Sequence, residues 1–161
     1  MKIIILAAGR GSRMHTGQIH KGLLPFRGKA VISHTIDQFP DHEFVIAVHH
    51  LKDQVVDYIR LAHPNAKVTY VDVGSIDTAS AGPGFSLMCA LDVAREESLV
   101  VTCDTYFKLP PATSFNCDWI GVADIVPAEA VSYCNVRVAG GAVTELYDKV
   151  INPRATHMWT G

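Results

Sequence analysis

The sequence predicts an α/β protein in three layers, with helices on both faces of a mixed, mostly parallel sheet. Three observations predict it. The chain opens on a continuous β-branched run, Ile3-Ile4-Ile5-Leu6; three more runs of that kind follow, each preceded by a stretch with helical spacing; and after Pro110-Pro111 the texture turns strand-like throughout. Continuous rather than alternating apolar character marks a strand covered on both faces, which is how a parallel sheet between helix layers reads.

Ile3 to Leu6 is therefore expected as a central parallel strand. Val31 to Phe39 has helical spacing and leads to a strand at Phe44 to Val48; Leu51 to Leu61 leads likewise to Val68 to Val73, and Phe85 to Ala94 to Leu99 to Thr102. Such alternation implies parallel strands joined by right-handed crossovers. Later, Trp119 to Val126, Tyr133 to Val138 and Val143 to Lys149 read as strands, with Gly140-Gly141 a hairpin turn between the last two. They are expected to add an antiparallel portion to the sheet. No linker or repeat divides the chain, so residues 1–161 are expected to form one domain. His157-Met158-Trp159-Thr160-Gly161 has the texture of an unfinished strand, so that domain is expected to be truncated at its C-terminal end.

Composition narrows the classes of function. The chain has 161 residues, 48% of them hydrophobic, and 14 Lys+Arg against 16 Asp+Glu give a net charge of -2. No basic stripe of the kind that binds a nucleic-acid backbone is present. No apolar run approaches the roughly 18 residues of a membrane helix, and the opening stretch runs straight into Arg10, so a soluble, cytoplasmic protein is expected. Cys89, Cys103, Cys117 and Cys134 form no CxxC pair and read as reduced, mostly buried thiols. Of the eight histidines none has the spacing of a metal pair on a helix; His15 and His20, in the loop after the first strand, read at most as accessory phosphate donors.

That loop carries the chemistry. It runs Leu6-Ala7-Ala8-Gly9-Arg10-Gly11-Ser12-Arg13-Met14, followed by Lys21-Gly22-Leu23-Leu24-Pro25-Phe26 and Gly28-Lys29. Small residues let the backbone approach a ligand, and glycines permit a turn that aims successive N–H groups at phosphate oxygens. Arg13 and Lys21 would supply fixed positive charge beside a triphosphate. The dinucleotide fingerprint fails, because Met14 stands at its third glycine, and the P-loop fails for want of Gly-Lys-Ser/Thr. Two further segments point to the same edge of the sheet. The apolar run Val100-Val101-Thr102-Cys103 ends in Asp104, which presents a carboxylate where open α/β sheets bind ligands. Ala81-Gly82-Pro83-Gly84 can bring glycine backbone to a base edge, or simply start a helix with Pro83 in its first turn. Asp72, Ser75 and Asp77 lie at the end of the third strand, as ligand groups or as a solvated loop.

The loop resembles the signature LAAGxGxRM followed by PKxLLPxxGKP of the sugar-phosphate nucleotidyltransferases and related cytidylyltransferases. It matches at Leu6, Ala7, Ala8, Gly9, Gly11, Arg13, Met14, Lys21, Leu23, Leu24, Pro25, Gly28 and Lys29, while His20 and Ala30 stand where that family has proline. The resemblance implies a Rossmann-like, GT-A-like domain that joins an NTP to a sugar 1-phosphate and releases pyrophosphate. It implies nucleotide binding by Leu6, Ala7, Ala8, Gly9, Gly11, Ser12 and Arg13, with Gly82 and Pro83 at the base. Arg13, Lys21 and Asp104 are implied as catalytic, with Asp104 holding Mg2+; a second metal aspartate of the family has no match here. Gly140 to Lys149 resembles a strand ending in Glu-Lys-Pro, which implies Asp148 for sugar hydroxyls and Lys149 for the sugar phosphate, although Asp replaces Glu and Val150 replaces Pro. The implied partners are an NTP and a phosphorylated small-molecule acceptor, and a homo-oligomer is compatible with the sequence. Two alternatives stay open: another enzyme of the same fold, such as a phosphocholine cytidylyltransferase or a molybdopterin nucleotidyltransferase, and a non-catalytic nucleotide-binding regulatory domain.

Overall fold

The isoleucine run is the centre of the first of two units. A computed structural model describes residues 1–11, 17–74, 82–109 and 118–159, and the chain divides into Met1–Leu109 and Pro110–Gly161. The first unit holds β1 (Lys2–Ala7), a 3₁₀ turn at Lys21–Leu23, β2 (Pro25–Phe26), β3 (Lys29–Ala30), α1 (Val31–Gln38), β4 (Glu43–Val48), α2 (Lys52–Ala62), β5 (Lys67–Asp72), α3 (Pro83–Ala94) and β6 (Ser98–Thr102). Its four long strands form an all-parallel sheet in the order β5-β4-β1-β6.

The alternation of side chains along β1 explains its unbroken apolar sequence. Ile3, Ile5 and Ala7 point into one core with Ile32 and Ile36 of α1 and Val55 and Ile59 of α2. Ile4 points the other way, with Val45 and Ala47 of β4, onto Ala90 and Ala94 of α3. Ile3, Ile4 and Ile5 are each 0% exposed, and full burial of such a side chain contributes about 1.5–3 kcal/mol. A polar residue at any of the three would face a helix layer with no partner. The helices begin and end close to where periodicity places them, and Pro83 occupies the first turn of α3, where its missing N–H costs nothing.

A short β2–β3 hairpin adds to the expected elements. Its two turn residues, Arg27 (φ 47) and Gly28 (φ 85), both adopt left-handed backbone, as a two-residue hairpin turn of the mirror-image type requires. Arginine is an unusual occupant of that position, so the turn carries no Asn-Gly or Asp-Gly signal.

The second unit contains β7 (Val122–Asp124), a 3₁₀ turn at Pro127–Ser132, β8 (Cys134–Ala139), β9 (Ala142–Asp148) and β10 (His157–Trp159), paired antiparallel in the order β7-β10-β8-β9. Gly140 (φ 59) and Gly141 (φ 78) form the expected hairpin turn. Buried Asn135 donates through Nδ2 to Ala130 O at 2.7 Å and Val150 O at 3.0 Å, pinning the 3₁₀ turn and the segment after β9 to the sheet. The α/β class and the parallel central sheet stand as expected, but the late strands, expected as a portion of that sheet, pair among themselves in a second one. Strand periodicity fixes which face is buried and not which strand is the neighbour.

Among the described residues, no helix is long and apolar enough to cross a membrane. Cys89, Cys103 and Cys134 are free thiols; only Cys103 is buried, the others being half-buried, and Cys117 lies outside the described residues.

Candidate nucleotide site at the carboxyl edge of the parallel sheet

Because β1, β4, β5 and β6 run parallel, their carboxyl ends emerge on one edge. That edge collects the segment after Ala7, the pair His49-His50, Asp72 and the pair Cys103-Asp104. The carbonyls of the small residues are engaged there by protein groups: Leu6 O accepts Cys103 N–H at 3.2 Å, Ala8 O accepts His50 N–H at 3.4 Å, and Ala7 O lies 2.8 Å from the Nε2 of His20. Leu6, Ala7 and Ala8 thus shape the edge through their backbone.

Lys21 lies between the segments that follow β1 and β6. Its Nζ donates to Asp104 Oδ2 at 3.0 Å, with the two side chains 18% and 28% exposed. The glycine loop passes over its stem: a Cβ at Gly9 would lie 3.9 Å from Lys21 Cε and Nζ, and one at Gly11 (φ +63) 3.4 Å from Lys21 Cβ and Cδ. Gly11 also needs left-handed backbone, which a side chain would strain. An ammonium, an ionisable carboxylate and two glycines are thereby assembled from three segments far apart in sequence.

The depth of Lys21 is set by Gly22. A Cβ there would meet Cys103 Cβ at 3.1 Å, Cys103 O at 3.2 Å and His20 Nδ1 at 3.3 Å, so the 3₁₀ turn sits flush against the end of β6. Burial pushes the Cys103 thiol up to about 12, so it is a neutral spacer and not a nucleophile.

His20 is a correction to the sequence reading. The ring is buried at 1% exposure; its Nδ1 accepts the Gly22 N–H at 3.1 Å, so Nε2 carries the proton and donates to Ala7 O. Burial lowers its basicity below that of an ordinary histidine. With both ring nitrogens engaged inside the protein, His20 cannot serve as a phosphate donor. Ser12, Arg13 and His15 lie outside the described residues, as do Ser75 and Asp77.

Asp72 anchors a second charged group on the same edge. It accepts from Lys52 Nζ at 2.7 Å, His49 Nδ1 at 3.2 Å and Gly74 N–H at 3.1 Å. The Lys52 hydrogen bond foremost, then the Gly74 amide and His49, hold its carboxyl down to about 2, so it is ionised across the working range. Sequence reasoning singled out Asp72 but not Lys52, whose position as the first residue of α2 gives no local sign that it faces the end of β5.

Gly82 and Pro83 start α3: Gly82 is the extended residue before the helix (φ -93, ψ -174) and its carbonyl accepts Phe85 N–H at 3.1 Å. Both are exposed. Asp148 and Lys149 belong to the second unit. Asp148 ends β9 in register with Cys134; Lys149 has left-handed backbone (φ 53) and donates its N–H to Tyr133 O at 3.1 Å, and both residues are exposed. No group of three or more His, Cys, Asp or Glu that could hold a metal ion occurs among the described residues.

Comparison with known proteins shows the family of the chain. The profile of the MobA-like NTP transferase domain matches residues 3–114, the run that contains Gly9, Gly11, Lys21 and Asp104. The chain is 32% identical over 112 residues to the bifunctional protein GlmU of Methanocaldococcus jannaschii, covering 67% of this chain and 26% of that protein. It thus spans about a quarter of the length of the GlmU relatives it matches. It is 22% identical over 174 residues to the UTP–glucose-1-phosphate uridylyltransferase AglF of Haloferax volcanii, covering 100% of this chain and 70% of that one. A solved UDP-glucose pyrophosphorylase from Acinetobacter baumanii shares the fold, with a TM-score of 0.72 at 15% identity over 99% of this chain and 74% of that one. On the match over residues 3–114, the chain belongs to the MobA-like NTP transferase family.

Proposed function

We propose that this chain carries the nucleotide- and phosphate-handling part of a nucleotidyltransferase that joins an NTP to a sugar 1-phosphate, giving an NDP-sugar and pyrophosphate. The observation that carries the reading is the Lys21–Asp104 pair at 3.0 Å under the Gly9–Gly11 turn at the sheet's carboxyl edge. Family membership supports nucleotidyl transfer, and the names of GlmU-type and glucose-1-phosphate relatives support a sugar phosphate as acceptor.

In that reaction an oxygen of the acceptor's phosphate forms a bond to the α-phosphorus of the NTP. The bond from that phosphorus to the β-bridging oxygen breaks, and its electron pair leaves with pyrophosphate. The protein contributes positioning and charge rather than covalent chemistry. The Gly9–Gly11 backbone would approach the β- and γ-phosphates, Arg13 would add charge beside them, and Lys21 would neutralise the α-phosphate as attacking and leaving oxygens crowd it. The Gly82-Pro83 start of α3 would lie against the base; Asp148 and Lys149 would take the sugar hydroxyls and sugar phosphate.

Asp104 is a single accessible carboxylate at a strand end, which fits Mg2+ held by one protein ligand together with substrate phosphates. Bound there, magnesium would neutralise charge on phosphate oxygens. Lys21 keeps that carboxylate compensated by its own ammonium.

The test is pyrophosphate release with each NTP and a panel of acceptors: hexose 1-phosphates, phosphocholine and molybdopterin. Turnover with a sugar phosphate, lowered at least about a hundredfold by Lys21→Ala with an unchanged melting curve, is the expected result. Turnover with another acceptor alone, or near-normal turnover in Lys21→Ala, would overturn it.

A further inference from the structure

The segment that carries Lys21 is fastened by groups with no assigned contact to substrate. Gln54 of α2 reaches across to it twice: its Oε1 accepts the His20 N–H at 2.9 Å and its Nε2 donates to Gln18 O at 2.7 Å. The His20 ring then ties the end of β1 to the start of the turn, through Ala7 O at 2.8 Å and Gly22 N–H at 3.1 Å, while His20 O accepts Leu23 N–H at 2.8 Å. Lys21 therefore sits between two fixed neighbours, both buried.

We propose that His20 and Gln54 form a strap of positioning residues that fixes the Lys21 ammonium beneath the glycine turn, so that α2 contributes to nucleotidyl transfer without contacting the nucleotide. Lysine has a flexible four-carbon stem and is a poor preorganised donor on its own. Catalysis by charge placement requires the donor to be held before the reaction begins. Here the stem is confined by Gly9 and Gly11 above and its root by the strap below. The same helix presents Lys52 to Asp72, so the first turn of α2 is fastened to the sheet edge at one point and to the Lys21 segment at another. His20 also has N-cap geometry: extended backbone (φ -62, ψ 132) and a side chain that accepts the N–H of the second turn residue.

The inference rests on the role given to Lys21, and two kinds of measurement keep their failures apart. The first needs no substrate. Amide hydrogen exchange should show His20 and Gly22 N–H protected in the parent chain, His20 N–H losing protection in Gln54→Ala, and Gly22 N–H losing it in His20→Ala but keeping it in His20→Asn, whose amide oxygen can still cap the turn. Unchanged protection in Gln54→Ala would overturn the strap whatever the enzyme does. The second is a double-mutant cycle on turnover. His20→Ala and Gln54→Ala should each lower kcat about 10- to 100-fold in the parent, as expected for a misplaced charge donor, and should lower it no further in a Lys21→Ala background. Effects that multiply in that background would show a merely structural role and overturn the inference. Should His20→Ala fail to fold, Gln54→Ala carries both measurements alone. A parent with no turnover on any acceptor would defeat the functional reading, and with it the claim on kcat, while the exchange pattern would still decide whether the strap exists.

Discussion

Replacing Gly22 by alanine sets two calculable effects against each other. Its backbone is not left-handed, so alanine is locally acceptable and restricts the unfolded chain, a gain of about 0.4–1 kcal/mol. The added methyl, however, would stand 3.1 Å from Cys103 Cβ, 3.2 Å from Cys103 O and 3.3 Å from His20 Nδ1. None of these is the free end of a flexible side chain: two belong to the end of β6, and the His20 ring is held by its two hydrogen bonds. Overpacking of a site that cannot yield costs about 1–3 kcal/mol, so the net expectation is destabilisation by about 1–2 kcal/mol. For a chain of this size that lowers Tm by about 2–8 °C. Gly84→Ala is the matched control, because a Cβ there meets nothing within 4 Å in the first turn of α3, and it should stabilise by about 0.5–1 kcal/mol. Thermal and urea melts of the three proteins at pH 7 make the comparison. A Gly22→Ala chain that melts at or above the parent would refute the close packing of the Lys21 turn on β6.

Three further outcomes are expected. Asp104→Asn should raise the Mg2+ concentration at half-maximal activity more than it weakens metal-free nucleotide binding; equal Mg2+ midpoints for mutant and parent would remove Asp104 from the metal. Lys149→Ala should raise the acceptor KM about tenfold and leave the NTP KM nearly unchanged, since a charge-assisted hydrogen bond contributes about 1.5–3 kcal/mol; the reverse pattern would place Lys149 with the nucleotide. His63 lies between Asp37 Oδ1, at 3.5 Å, and Ser33 Oγ, at 2.8 Å, and burial lowers it below the ordinary 6.5. In the native state it therefore resists the proton that the unfolded chain accepts. Its contribution is fully present above pH 6.5 and is lost as pH falls below that value. Urea midpoints between pH 8 and 5 should decline toward acid, and less steeply in His63→Gln; a parallel decline in both would refute the assignment.

Strands and helices of the first unit were legible because burial on two faces writes itself into consecutive residues, as at Ile3-Ile4-Ile5. The glycine turn and the strand-end Asp104 were legible for a related reason: special backbone and an isolated charge after an apolar run leave few alternatives. What escaped was contact between segments. Nothing local announces that Gln54 reaches Gln18 and His20, that Lys52 faces Asp72, or that Gly22 abuts Cys103. A histidine beside a lysine in a phosphate loop suggests a second cation; only burial and the two partners of its ring show it to be a neutral brace. Asp148 and Lys149 were legible as a hairpin end, and the structure adds the left-handed backbone at Lys149.

The place of β1 in the sheet bears on how the protein is made. Ile3 meets Phe44 on one side and Leu99 on the other, so β1 leaves the ribosome before both of its partners and is flanked on both edges only once β6 follows. During synthesis its isoleucines wait, first without β4 and then with one edge still open until β6 arrives. Closure over so long a stretch of chain is slow, and an apolar strand with an unpaired edge is the species that self-associates. Rapid completion of the chain from β4 through β6, or a chaperone that holds β1 until then, should raise the soluble yield.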